Sequence, residues 1–400
     1  MTMILPTPTG SSSVTTGEVR LTVRNLRKVF ADDPKPALAM LRQGATKAEV
    51  LQRLNVNVGV AEASFDIRAG EIFVIMGLSG SGKSTVIRML NRLVEPSEGE
   101  IRLDGRDLTR LSRSDLVSVL RRDMSMVFQS FALLPNRTAL ENAAFGLEVA
   151  GMPRAQRRTA ALAALDRVGL SAYADRYPGE LSGGMQQRVG LARALAKNPT
   201  IMLMDEAFSA LDPLIRADMQ GELLRLQRED ARTIVFISHD ADEAMRLADR
   251  IAVMEEGRIA QIGTPAEILR SPADDYVRAF FRGVDASRLL RARDLAQPPG
   301  SAAGEGFGEH GEPRFRYRTD GAGLFRGVVA TGRAGDGATA LFGLEPADAD
   351  APLQSLLGRV AAAPCPLPVV EADGRFVGVI SRAALLAALD RGASAEVRHG

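Results

Sequence analysis

The feature that most restricts what this chain can fold into is a run of eight residues, Gly77-Leu78-Ser79-Gly80-Ser81-Gly82-Lys83-Ser84. The segment before it, Ile72-Phe73-Val74-Ile75-Met76, is apolar throughout, the pattern of a strand buried on both faces. After it, Val86, Ile87, Leu90, Leu93 and Val94 recur at helical spacing. Strand, glycine-rich loop and helix in that order are the context that makes the run a phosphate-binding loop. Glycines let the backbone close around phosphate oxygens, while successive N–H groups and the start of the helix supply partial positive charge. Lys83 then reaches the terminal phosphates of a nucleotide, and Ser84 offers its hydroxyl to Mg²⁺.

With 400 residues, of which 46% are hydrophobic and 25% charged, the chain has room for two or three ordinary globular domains. A formal net charge of +1 gives no long-range field to attract nucleic acid or an anionic membrane, and no polyanionic partner is expected. The single cysteine, Cys365, excludes an intrachain disulfide. The first residues lack the charged and apolar regions of a signal peptide, so a cytosolic protein is expected. No apolar run approaches the length of a membrane span, and any membrane role must come through a partner chain.

Residues 1–18, rich in Thr, Ser, Pro and Gly, are expected to form a disordered leader. Residues 18–26 alternate polar and apolar side chains as a half-buried strand does, ending near Val29 and Phe30. Between 33 and 58 the spacing of Leu38, Leu41, Val50, Leu51 and Leu54 suggests a small helical insertion, with the sheet resuming at 63–67. A short strand and turn at 99–105, a helix over 112–121 and a strand at 124–128 ending in Gln129 follow. Residues 138–175 read as a helical layer broken at Gly151-Met152-Pro153 and Gly169. Leu181-Ser182-Gly183-Gly184 opens another helix to about Ala196, and Ile201-Met202-Leu203-Met204 is a strand ending in Asp205-Glu206. Further strands at 233–237 and 250–254 alternate with helices, which implies a mainly parallel α/β sheet.

The chemistry-bearing residues fall at strand ends and helix starts, where such folds bind ligands. Asp205 closes a buried strand, the arrangement by which nucleoside triphosphatases hold Mg²⁺ through a carboxylate. Glu206 beside it is placed to polarise an attacking water, and Gln129 to touch the metal or that water. His239, directly after Val235-Phe236-Ile237-Ser238, is placed to donate a hydrogen bond to a γ-phosphate.

Leu181-Ser182-Gly183-Gly184-Met185-Gln186-Gln187-Arg188 resembles the signature motif of ABC-transporter ATPases, Ser209-Ala210-Leu211-Asp212 their D-loop, and His239 their switch histidine. The similarity spans roughly residues 19–283 and implies a P-loop NTPase core of the ABC type with a helical subdomain. It also implies ATP and Mg²⁺ as ligands. The implied nucleotide contacts are Gly77, Ser79, Gly80, Ser81, Gly82, Lys83, Ser84 and Thr85, with Phe30 stacking on adenine. Ser84, Gln129 and Asp205 are implied at the metal, with Glu206, His239, Gln129 and Lys83 in hydrolysis. Ser182, Gly183 and Gly184 form an anion site at a helix start. In that family this site completes ATP binding on the opposite subunit of a head-to-tail dimer, so a second copy of the chain is an implied partner.

Four stretches, 71–82, 126–135, 204–216 and 275–278, are similar to the ATP-binding subunit of glycine betaine/L-proline importers, the quaternary-amine uptake group, as is the helical insertion. That similarity implies a membrane permease partner, fed by a substrate-binding protein, and a place on the inner face of the cell membrane. The residues themselves leave open another solute (choline, methionine or another amino acid), a non-transport ABC ATPase, or a nucleotide sensor in which Glu206 is idle. Past Gly283 the composition shifts to Arg, Ala and Gly, with a loose stretch over 297–312. Beyond it a weak repeat relates Phe325 and its neighbours to Phe376 and its neighbours at an offset of 376 − 325 = 51 residues, each copy reading as a hairpin. The second copy, flanked by helical patterns at 353–360 and 383–389, resembles a cystathionine-β-synthase-type module, and 284–400 is expected to be a small, degenerate α+β pair of that kind. Where the module's ribose-binding Asp usually stands, this chain has Ala384, and both a regulatory or dimerising role and a structural appendage remain open.

Overall fold

The computed structural model describes residues 17–285, 290–298, 314–331, 339–341 and 344–393. Residues 1–16 of the expected leader and most of the loose 297–312 stretch lie outside the described residues. The chain divides into two compact units, 1–264 and 265–400. Residues 265–283, expected with the first domain, fall in the second unit, where Ala266 packs on an apolar cluster built around Leu290, Leu353 and Val369. Among the described residues no helix is long and apolar enough to cross a membrane.

In the first unit, β1 (Val19–Phe30) and β2 (Asn57–Arg68) pair antiparallel, and their alternating burial follows the alternating sequence. Between them stand α1 (Lys35–Arg42) and α2 (Lys47–Leu54), the expected helical insertion. Thr46 starts α2 with a capping box: its hydroxyl accepts from the Glu49 N–H, and the Glu49 carboxylate accepts from the Thr46 N–H. The sheet resumes at Asn57, six residues earlier than the spacing predicts. Val58 and Ala61 join Val29, Ala37, Leu38, Leu41 and Val50 in a small core of their own, so those residues pack as strand.

β3 (Ile72–Met76), wholly buried, leads through the glycine-rich loop into α3 (Lys83–Leu90). β4 (Glu98–Leu103), β5 (Arg106–Asp107), α4 (Arg113–Asp123) and β6 (Met124–Val127) follow. The helical layer comprises α5 (Ala139–Val149), α6 (Arg154–Arg167) and α7 (Gly183–Ala196), packed on one another. The chain then alternates β7 (Ile201–Asp205), α8 (Pro213–Asp230), β8 (Thr233–Ser238), α9 (Ala241–Leu247), β9 (Arg250–Glu255) and β10 (Arg258–Gly263).

The described strands of this unit form one sheet in the order β5-β4-β1-β2-β10-β9-β3-β8-β7-β6. From β9 to β6 it is parallel, as expected. In the other half β1 pairs antiparallel with both β2 and β4, and tight turns return the chain to its neighbour between β4 and β5, through Asp104-Gly105, both with positive φ, and between β9 and β10. A single parallel pair, Arg258 with Glu62, joins the halves. The topology places the C-terminal ends of β3, β6, β7 and β8 along one edge, where Gly77, Gln129, Glu206 and His239 follow.

The second unit begins with α10 (Pro265–Arg270) and α11 (Asp275–Phe280) and contains two three-stranded sheets. β11 (Arg314–Thr319) and β12 (Phe325–Thr331) form the first repeat's hairpin; the strands Leu367–Val370 and Phe376–Ile380 form the second, flanked by helices Leu353–Ala362 and Arg382–Ala393. The 51-residue offset is visible in the bonding. The Phe325 N–H donates to the Gly374 carbonyl and the Phe376 N–H to the Gly323 carbonyl, each at 3.0 Å, and the two rings stack at 5.7 Å. Each bond is the other shifted by one repeat, as two hairpins related by a local two-fold require.

The insertion's small core is open to a stability test. Leu41 is 1% exposed and Leu51 51% exposed on neighbouring helices. Leu41→Ala should cost about 2 to 5 kcal/mol, and Leu51→Ala no more than about 0.5 kcal/mol, compared by urea unfolding followed through the first unit.

Candidate active site

The loop after β3 takes its shape from glycines at positive φ: Gly77 (151°), Gly80 (80°) and Gly82 (107°). At Gly77 a Cβ would collide with the Met254 carbonyl, and at Gly82 it would lie 2.6 Å from the Gly59 carbonyl, so neighbouring strands press on the loop from behind. Lys83, 5% exposed, donates to the carbonyls of Gly77 (2.7 Å) and Leu78 (3.0 Å). Burial pulls its pKa down, and the nearby Glu206 and Asp205 carboxylates oppose that shift. The Ser81 hydroxyl is buried and has no hydrogen-bond partner among the described residues. An oxyanion cradled by the loop would satisfy it.

Asp205 closes β7 and is 4% exposed. Its Oδ1 accepts from the Ser84 hydroxyl at 3.0 Å, and its Oδ2 from Arg88 at 3.2 Å. Two hard oxygens this close, one a carboxylate, suit a small divalent cation that takes one or two protein ligands and fills its remaining positions with phosphate and water. Glu206, the next residue, has φ of 47°, a left-handed conformation that a side chain other than glycine rarely adopts. Its Oε2 accepts from Gln129 Nε2 at 3.2 Å and lies 3.4 Å from His239 Nδ1. Gln129 also donates to the Ser209 hydroxyl, and Ser209 turns back to the Glu206 carbonyl. Lys83, Ser84, Gln129, Asp205, Glu206 and His239 thus form one group at the sheet edge.

The remaining expected residues stand around that group. Phe30 is 50% exposed, its ring set against Gly59 and close to the Thr85 methyl, with Lys28 Nζ 5.1 Å from the ring centroid. An open aromatic face beside the start of α3 suits a stacked base. Ser182 caps α7, its hydroxyl accepting from the Met185 N–H, while Ser182 and Gly183 are exposed and Gly184 is buried against Ile215. Ser182 and Gly183 therefore lie at an exposed helix start, a setting whose free N–H groups suit an anion. Asp212 caps α8 through the Ile215 N–H.

Four contributors escaped the sequence reading. Arg88 lies one helical turn after Ser84, a spacing that puts both on one face and was there to be read. Ser209 was noted only as part of a motif. Arg193 of α7 donates to the carbonyls of Phe131 and Ala132, two consecutive residues at positive φ just after Gln129, and so pins that loop to the helix that Ser182 starts. Glu243 accepts from the Ser238 hydroxyl at 2.5 Å and from Gln220 at 2.9 Å, and Ser238 in turn accepts from the Asp240 N–H, fixing the turn that carries His239. No local pattern reveals the last two, because each partner is distant in sequence or hidden in a buried turn.

The ABC transporter family profile matches residues 60–209. The chain is 50% identical over 392 residues, 93% of its length and 98% of the relative's, to the glycine betaine/proline betaine transport system ATP-binding protein ProV of Escherichia coli (strain K12). It is 44% identical, over 92% of its length and 97% of the relative's, to the glycine betaine/carnitine transport ATP-binding protein GbuA of Listeria monocytogenes serotype 1/2a (strain 10403S). Among solved structures it is similar to the ATP-binding cassette MJ0796 in a dimeric post-hydrolysis state bound to ADP and Pi. That match has a TM-score of 0.52 and 31% identity, covering 61% of this chain and 98% of the other.

Burial raises the pKa of Glu243, against the hydrogen bonds from Ser238 and Gln220. The folded state then holds this proton at a pH where the unfolded chain has lost it. Stability from this group is complete below the ordinary value of 4.5 and falls as pH rises from there through the raised folded value. Glu243→Gln should flatten that part of the profile, measured as the urea midpoint of wild type and variant between pH 4.5 and neutrality.

Proposed function

Because the chain belongs to the ATP-binding subunits of glycine betaine ABC importers, we propose that it hydrolyses ATP to power uptake of glycine betaine and related compatible solutes through a partner membrane permease. One observation carries the assignment of roles: Ser84 bonded to Asp205, and Gln129 and His239 set against Glu206, are drawn from three strand ends and a helix start and meet through the adjacent Asp205 and Glu206 beside the phosphate loop. The residues of the first unit supply what hydrolysis of a phosphoanhydride needs.

Loop N–H groups and Lys83 bind the phosphates, Phe30 stacks on the adenine and Thr85 stands at the start of the loop's helix. Ser84 and Asp205, with Gln129, would hold Mg²⁺, which when bound neutralises charge on the phosphate oxygens. Glu206 accepts the proton of the attacking water. Gln129 and His239 approach the same oxygen of that carboxylate, Oε2, which leaves Oε1 for the water. With a nucleotide in place, His239 turns its hydrogen bond to the γ-phosphate. The second copy of the chain supplies the exposed Ser182 and Gly183 to the other side of the γ-phosphate, with Gly184 buried behind them, and closing and reopening of this dimer moves the permease. The protein works as a peripheral subunit on the cytoplasmic face, and a substrate-binding protein delivers the solute to the permease. The relatives matched over nearly their whole length are betaine transporters, which favours betaine over choline, methionine or a non-transport role.

For the second unit we propose a regulatory pair of the cystathionine-β-synthase type, built on the two hairpins. The Ser381 hydroxyl accepts from the Ala384 N–H at 3.0 Å, so that position serves as a helix start and carries no ribose-binding carboxylate.

A general base contributes about 10² to 10⁴-fold. Glu206→Gln should lose about that factor in phosphate release while its ATP affinity stays near wild type. In a strain lacking the native subunit, the wild-type gene should restore uptake of radiolabelled glycine betaine and the Glu206→Gln gene should not. Unchanged phosphate release in the variant contradicts the base, and uptake of another osmolyte in place of betaine contradicts the solute.

A further inference from the structure

The insertion between β1 and β2 has no part in the chemistry above, yet it is held tightly to the first unit. At one end Arg42 of α1 pairs with Glu98 of β4 at 2.8 Å, and Glu98 also receives Arg27, which reaches on to Glu62. Beneath it lies the small core of Val29, Leu38, Leu41, Val50 and Val58. At the other end, Lys47, the first residue of α2, donates from Nζ to the Gly80 carbonyl of the phosphate loop at 3.1 Å.

A lysine at a helix start faces the positive end of the helix dipole. It is also half-buried, and burial lowers its pKa while Glu256 opposes that shift. Its aliphatic stem fills the space over Gly257, where a Cβ would collide with Lys47 Cε. Gly257 itself donates its N–H to the next loop carbonyl, Ser81, at 3.0 Å. Two successive carbonyls, Gly80 and Ser81, are therefore gripped from outside the loop, and Lys83 takes those of Gly77 and Leu78. In a trans peptide the N–H opposes the C=O, so fixing these carbonyls fixes where the N–H groups of Ser81 and Gly82 point. Phosphates bind on the N–H side, and Lys47 sits on the carbonyl side.

We infer that the 33–58 insertion is a brace for the phosphate loop, with Lys47 as a positioning residue that sets the Gly80–Ser81 peptide for nucleotide binding without touching the nucleotide. Gly80 has φ of 80° and open space where a Cβ would stand, so the hold on that peptide plane comes from the Lys47 bond at its carbonyl and from its N–H, which Ser81 donates to the Leu78 carbonyl at 3.2 Å within the loop; Lys47 is the contact from outside the loop. The inference rests on the loop being the ATP site.

The test uses the full chain in four forms: wild type, Lys83→Ala, Lys47→Met, which keeps the stem over Gly257, and Lys47→Arg. ATP affinity is measured by calorimetry without Mg²⁺, and the ATP KM and kcat with it. Lys47→Met should raise Kd and KM about three- to tenfold, the loss of one partly hydrated charge-assisted hydrogen bond. Its kcat at saturating ATP should stay within about twofold, because the lost contact serves ground state and transition state alike. Lys47→Arg should recover most of the affinity, and the melting temperature without nucleotide should match wild type in both variants. An unchanged Kd and KM in Lys47→Met, a lowered ligand-free melting temperature that accounts for the loss, or Lys47→Arg no better than Lys47→Met overturns the brace. Lys83→Ala binding ATP as tightly as wild type overturns the site itself, so the two failures are distinguishable.

Discussion

The arrangement of the first unit's site depends on a buried carboxylate. Asp205 ends a wholly buried strand and is almost fully withdrawn from water, so it must be paired. Its partners, Ser84 and Arg88, both belong to α3, and their bonds tie the end of β7 to the first turns of the helix that follows the phosphate loop. A pair of this kind adds little to stability by itself. What it adds is position: β7 and β3 are separated by β8 in the sheet, and Asp205 spans that gap. Glu206 then departs from the strand in a left-handed conformation that turns its carboxylate to Gln129 and His239. Such local strain persists only where surrounding contacts enforce it, and Ser209 supplies them at the Glu206 carbonyl.

The antiparallel half of the sheet and the insertion stand behind the loop, not in front of it. β2 brings Gly59 under Gly82, and the β9–β10 turn brings Gly257 to Ser81. α2 brings Lys47 to Gly80. The Gly80 and Ser81 carbonyls are thus bonded from outside the loop, and Gly82 is backed by the Gly59 carbonyl. A loop assembled this way is prepared before the nucleotide arrives, and preorganisation of this sort is where binding energy is conserved.

The parallel core, the glycine-rich loop and the four strand-end residues were legible because each rests on a local signal: an unbroken apolar run, a fixed glycine spacing, a polar residue directly after a strand. The insertion was legible as helices and opaque as a device, since Lys47 meets Gly80 across 33 positions and no spacing rule connects them. The start of β2 at Asn57 was missed because Val58 looks like the tail of a helical pattern until Val29 and Leu41 are seen beside it. Arg193 and Glu243 were missed for a different reason. They act on backbone carbonyls and on a serine in neighbouring turns, and polar groups serving the backbone leave no periodicity. In the second unit the hairpins were visible through their repeat, while the paired bonds between Phe325, Gly374, Phe376 and Gly323 exist only once the copies face each other.

On the function proposed above, this group of residues is half of a site, and the exposed Ser182-Gly183 helix start of a second copy is the other half. Sedimentation velocity of the Glu206→Gln protein with and without ATP tests it most directly. A composite site requires a monomer without nucleotide, a dimer with ATP, and a return to monomer when Ser182→Arg is added to the same chain. A Glu206→Gln protein that stays monomeric in saturating ATP, or a dimer indifferent to Ser182→Arg, would contradict it.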